Sequence, residues 1–133
     1  MKTPLWDIEP FPTMLFDPDV ARVKRLASRL GEDGVPTEVA TSVDALLAAV
    51  RGKYFRTLVV SVDVDDAKCL AFLDELRVAA PAGWIIAIGS RADADAHAVA
   101  YRHGADSLVA TSASPADLLA RIAALQLRSR PRF

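Results

Sequence analysis

Residues 84–125 read WIIAIGSRADADAHAVAYRHGADSLVATSASPADLLARIAAL. An apolar run from Trp84 to Ile88 gives way to a segment in which Ala96, Val99, Ala100 and His103 recur at helical spacing. Gly104 stands where that helix must stop, because glycine adopts the left-handed conformation that closes a helix without steric cost. A second short run follows, from Ser107 to Ala110, and then Leu118, Leu119, Ile122 and Leu125 repeat on one helical face. Ser114 precedes Pro115 and stands three before Asp117, so hydroxyl, fixed φ and acid all favour a helix start there. The stretch therefore reads as strand, helix, strand, helix. Its strand runs are continuously apolar rather than alternating, which fits strands of a parallel sheet covered on both faces.

The same alternation extends back to the start. Thr13 to Phe16, Pro36 to Thr41 and Thr57 to Val62 read as strands. Between them, Val20, Val23, Leu26, Ala27 and Leu30 repeat at helical spacing, as do Leu46, Leu47 and Val50, then Leu70, Leu73 and Leu76. Thr41, three before Asp44, is the expected cap of the second helix, and Gly34 the expected stop of the first. Five strand–helix alternations with right-handed crossovers predict an α/β fold with a doubly wound, five-stranded parallel sheet. In such sheets ligands bind beyond the carboxyl ends of the strands. Function is therefore sought at Asp17 to Asp19, Ser61 to Asp66, Gly89 to Arg91 and Thr111 to Ser114.

At 133 residues the chain holds about one domain. The predicted division is an extended leader over residues 1–12, with Pro4, Pro10 and Pro12, a domain over 13–126, and a basic linker or tail over 127–133. With 52% apolar and 25% charged residues, the composition is that of a soluble globular chain rather than a disordered one. The opening MKTPLWDIEPFP carries acids and prolines where a signal peptide needs an apolar run, and no stretch is long enough to span a bilayer. These features predict a cytoplasmic protein. A net charge of −1 supplies no basic footprint for nucleic acid. The single cysteine, Cys69, is expected to be a buried structural thiol without metal-ligating neighbours. His97 and His103 are six apart and share no helical face. Ser90, Asp93 and His97 lack the glycine-flanked elbow of a hydrolase nucleophile, and no Walker or GxGxxG loop is present.

From Ile85 to Leu125 the chain resembles, without a gap, the receiver domains of response regulators: a fourth strand, a helix closing in Gly104-Ala105-Asp106, a fifth strand, and a last helix opening in Ser114-Pro115. Asp17-Pro18-Asp19 also resembles the family's lead into its first helix, and the likeness covers Thr13 to Leu125. It implies a flavodoxin-like receiver fold with strand order 2-1-3-4-5. It also implies two-component signalling, in which an aspartate at the end of the third strand accepts a phosphoryl group in the presence of Mg²⁺. That chemistry needs a carboxylate nucleophile, further carboxylates to hold the metal, and a hydroxyl and an ammonium to contact the product.

Position by position, the resemblance places other residues there. Counting back from Leu70 to Arg77, LAFLDELR, the phosphoacceptor position is Ser61. Asp63 reaches that role only with a two-residue shift, which keeps it on the same face of an extended strand. The acidic pair of the first strand becomes Leu15 and Phe16, or Asp17 alone if the register slides by one. The switch hydroxyl position is Gly89, followed by Ser90, and the lysine position is Thr111. Asp63, Asp65 and Asp66 otherwise form a solvated loop with one of them capping a helix. The implied protein is a degenerate, non-enzymatic receiver that uses no cofactor and acts through a protein surface. The alternative is an active atypical receiver phosphorylated on Asp63, with Mg²⁺ held by Asp17 and Asp63.

In the family, the fourth helix, fifth strand and fifth helix carry dimer or output-domain contacts. By resemblance the candidates here are Tyr101, Arg102, Asp117 and Arg121. Arg22, Arg25 and Arg29 form a stripe on the first helix, a second candidate surface. The expected partner is a protein, either a second copy through that fourth-helix, fifth-strand and fifth-helix face or an output domain, with neither nucleic acid nor membrane engaged by this domain.

Overall fold

The computed structural model describes residues 12–126. The leader, apart from Pro12, and the tail over 127–133 lie outside the described residues. The elements alternate: β1 (Thr13–Phe16), α1 (Val20–Glu32), β2 (Thr37–Ala40), α2 (Val43–Gly52), β3 (Thr57–Ser61), α3 (Ala67–Ala79), β4 (Trp84–Gly89), α4 (Ala94–Arg102), β5 (Ser107–Ala110) and α5 (Pro115–Gln126). The strands form one parallel sheet in the order β2-β1-β3-β4-β5. Both the class and the strand order are those expected from the sequence.

Side-chain alternation along each strand divides the core into two layers. Met14, Phe16, Leu58, Val60, Ile85, Ala87 and Leu108 face α2, α3 and α4. Leu15, Val59, Ile86 and Val109 face α1 and α5, meeting Val23, Leu30, Leu118, Ile122 and Leu125. Continuous apolar strands are thus explained, since both faces are covered.

Local chemistry sets the helix boundaries. Asp19, Ser42, Asp66, Asp93 and Ser114 each accept a backbone N–H of the first turn that follows, at 2.8 to 3.2 Å. Such a cap contributes about 1 kcal/mol. The cap of α2 is Ser42, not Thr41: Ser42 is the last extended residue before the helix, and its hydroxyl accepts the Ala45 N–H. Gly34 and Gly104, with φ of +82° and +102°, close α1 and α4 as anticipated. In both, the residue after the glycine donates back across the turn, Val35 to Leu30 at 2.9 Å and Ala105 to Ala100 at 3.0 Å.

Two packing expectations change. Val20 lies at the start of α1, ahead of the stripe that meets the sheet, and is 47% exposed. Cys69 is half-buried at the edge of the core instead of enclosed within it.

At the amino-terminal edge of the sheet, Arg77 of α3 joins three elements. Its guanidinium donates to the carbonyls of Gly104, Ala80 and Gly83 and to the Asp106 carboxylate. Asp106 in turn accepts the Ile85 N–H of β4 at 2.9 Å. The Gly-Ala-Asp motif is therefore a structural joint, with Gly104 turning the chain and Asp106 tying it to its neighbours.

Candidate functional site

The switch point of the sheet lies between β1 and β3, whose neighbours diverge. Asp17 follows β1 there, and Ser61 ends β3 opposite Ile88 of β4. Thr111 lies just past β5, its N–H donating to the Gly89 carbonyl at 2.8 Å. Leu15 and Phe16 are wholly committed to the core: Leu15 lies under α1, and the Phe16 ring packs on Phe72 with centroids 5.2 Å apart. Neither position could supply a carboxylate without breaking the layer it belongs to.

Asp17 directly follows β1, and its oxygens are engaged. Oδ2 accepts Arg22 Nε at 2.5 Å; Oδ1 accepts Arg22 Nη2 and the Asp19 N–H, each at 2.9 Å. The hydrogen bond and charge of Asp17 hold the Arg22 guanidinium above its ordinary pKa. Arg22, expected on an open stripe, is thus tied to the strand end by a two-pronged ion pair.

Beyond Ser61 the chain leaves the strand. Val62 donates to the Ile88 carbonyl at 2.8 Å and is buried, as is Val64, while Asp63 between them is exposed. The Asp63 Oδ1 accepts the Asp65 N–H at 2.9 Å, closing a local turn, and Asp66 caps α3. Asp65 instead reaches across to Arg91 of the β4–α4 loop, at 2.6 Å. Arg91 also makes two 3.0 Å bonds to Asp93, the cap of α4. This bridge holds the Asp93 carboxyl down at about 2, through Arg91 first and the Ala96 N–H second, and keeps Arg91 well above its usual range. The acids of the loop therefore serve turn, cap and bridge. Among the described residues no group of three or more His, Cys, Asp or Glu side chains could hold a metal ion.

Gly89 is closely surrounded. A Cβ there would stand 3.0 Å from the Val62 carbonyl oxygen and 3.4 Å from that of Arg91, so any larger residue requires the crossing loop to give way. Ser90 follows it and is exposed.

Asp17, Ser61 and Thr111 also line one end of a cleft of about 340 Å³ between α1 and α5, and Arg22, Arg25 and Arg29 line its α1 side. The arginine stripe read from the sequence thus borders a concave site. Arg29 keeps a 3.6 Å contact with Asp33, whereas Arg25 has no ion pair among the described residues. On the other proposed surface, Tyr101 is 49% exposed on α4, its ring edge-on to His97 at 5.9 Å. Arg102 and Asp117 are exposed, but Arg121 donates to the buried Ser107 hydroxyl at 2.9 Å. His103 meets Asp74 of α3 at 2.9 Å, away from His97.

Two features were not apparent in the sequence. Arg77 resembles any cation in a last helical turn, and nothing local marks the carbonyls it gathers. The Asp65–Arg91–Asp93 bridge left only a weak signal, an arginine two residues before an N-cap acid.

No protein-family model matches the sequence, and no curated protein sequence matches it. Solved structures do match. A CheY-like receiver domain protein from Methanospirillum hungatei superposes with a TM-score of 0.75 at 20% identity, covering 87% of this chain and 94% of that one. This chain has the receiver fold. The BeF3-activated amino-terminal receiver domain of RstA from Klebsiella pneumoniae gives 0.76 at 17% identity, over 88% and 99% of the two chains. An orphan response regulator of Helicobacter pylori gives 0.74 at 19%, over 89% and 97%. Among the described residues no helix is long and apolar enough to cross a membrane.

Proposed function

We propose that this chain is a degenerate receiver domain, a non-enzymatic cytoplasmic signalling module that works through a protein surface without aspartyl phosphorylation and without Mg²⁺. The observation that carries the reading is the strand-end register. Ser61 ends β3 where the receiver fold would present its acceptor, and Asp17, which follows the paired strand β1, is already bonded to Arg22 and the Asp19 N–H. A hydroxyl is a poor acceptor without an adjacent base, and a metal would have to displace the Arg22 pair to reach Asp17. Thr111 supplies no cation for a phosphoryl oxygen, and Gly89 no hydroxyl. Asp63, the acceptor of the active alternative, is exposed and occupied as a turn acceptor.

The partner in this reading is a second copy or an output domain, engaged through α4, β5 and α5. Tyr101 supports it as an exposed aromatic on α4, beside the edge strand β5. Arg102 and Asp117 would frame the contact, while Arg121 would act mainly by holding α5 to β5.

Incubation of the full chain with acetyl phosphate and Mg²⁺, followed by intact-mass measurement, tests the reading. The mass is expected to stay unchanged. A gain of one phosphoryl group that disappears in Asp63→Asn would overturn it in favour of the active alternative.

A further inference from the structure

The α1–α5 cleft has a chemistry that the degenerate-receiver reading does not use. Its accessible apolar lining is Leu26 of α1, Ile88 of β4, and Ala110 and Ala113 at and beyond the end of β5, all half-buried over the enclosed Leu15, Val59, Val109 and Leu118. Small side chains at Ser61, Ala110, Thr111 and Ala113 leave the space at the strand ends open. The volume, about 340 Å³, falls at the lower end of the range for small-molecule sites, and an apolar floor with few polar groups is their usual composition.

The charge around it is one-sided. Three arginines face the cleft against one carboxylate, Asp17, and Arg22 already neutralises that carboxylate. Arg25 has no counter-ion among the described residues, and the Arg29 contact to Asp33 is long and exposed. Ser61 is half-buried, and its hydroxyl has no hydrogen-bond partner among the described residues. An apolar trough with the unpaired Arg25 and the loosely paired Arg29 on one lip and an unpaired hydroxyl at its end matches a molecule with an apolar body and an anionic head.

We propose that the cleft is a binding site for a small amphiphilic carboxylate, its hydrocarbon body against Leu26, Ile88 and Ala113 and its carboxylate between Arg25 and Arg29. Such a ligand would touch α1, α5 and the strand ends at once. It would thus lie beside the strand-end positions Asp17, Ser61 and Thr111.

Decanoate, below its micelle-forming concentration, is the probe, added to the ¹⁵N-labelled full chain and followed by amide shifts. Saturable shifts are expected at Leu26, Ile88, Ala110 and Ala113. Decanol and decyltrimethylammonium, of the same chain length, are expected to bind about tenfold more weakly or not at all. The exposed double variant R25Q/R29Q should lose about tenfold in affinity for decanoate, while Arg51→Gln, on the opposite side of the sheet, should retain it. Absence of saturable shifts, shifts confined to another face, or equal affinity in R25Q/R29Q would overturn the proposal. Because no phosphodonor is present, this outcome is independent of the phosphorylation test.

Discussion

Replacing Arg77 with methionine isolates the joint at the amino-terminal edge of the sheet. Methionine preserves the aliphatic stem that packs on Gly104 and removes the guanidinium. Hydrogen bonds that go with it include two from Nη1, to Gly104 O at 3.0 Å and Asp106 Oδ2 at 3.1 Å, and two from Nη2, to Ala80 O at 2.6 Å and Gly83 O at 2.5 Å. Breaking a fully buried ion pair from one side costs about 3–5 kcal/mol. The two side chains here are 23% and 18% exposed, so water recovers part of that loss, and Asp106 keeps the Ile85 N–H. A destabilisation of about 3 kcal/mol follows, or a fall in Tm of about 10 to 15 °C for a domain of this size. Urea unfolding followed by circular dichroism reads it as a lower midpoint at unchanged slope. Arg51→Met is the internal control. It breaks an ion pair to Glu75 whose side chains are 58% and 53% exposed, and is expected to cost no more than about 1 kcal/mol. If Arg77→Met costs as little as Arg51→Met, the guanidinium does not hold the joint and the reasoning fails.

Gly104→Ala should destabilise by about 1–3 kcal/mol, since φ is +102° and the new Cβ would stand 2.7 Å from Arg77 Cβ. Gly52→Ala, with nothing within 4 Å of the new atom, should leave the urea midpoint unchanged or slightly raised. Asp93 titrates lower in the folded chain, at about 2, than its ordinary 3.8, so its contribution is complete above about pH 4 and is lost as pH falls toward 2. Asp93→Asn should therefore flatten the fall in Tm across that window while keeping the cap of α4. An acid limb identical to that of the parent chain would contradict the Arg91–Asp93 bridge.

Local signals determined a great deal of this protein. The continuous apolar runs around Val59, Ile86 and Val109 demanded a sheet covered on both faces, and the Ser114-Pro115 start and Gly34 and Gly104 stops divided strand from helix. These depend on neighbouring residues and the fixed geometry of turns and caps, so they survive in a linear reading. The placement of Ser61, Gly89 and Thr111 at the strand ends was also legible, because the spacing to the following helices is itself local. Tertiary structure decided the rest. Only the pairing of β1 with β3 brings Asp17 beside the end of β3, and only the packing of α1 over that end delivers Arg22 to it. The same packing turned an apparently solvated arginine stripe into the lip of a cleft. Arg77 and Arg91 acquired their roles from partners as many as 29 and 26 residues away. The reach of a long side chain is set by which elements lie over one another, and no periodicity within a single helix or loop encodes that.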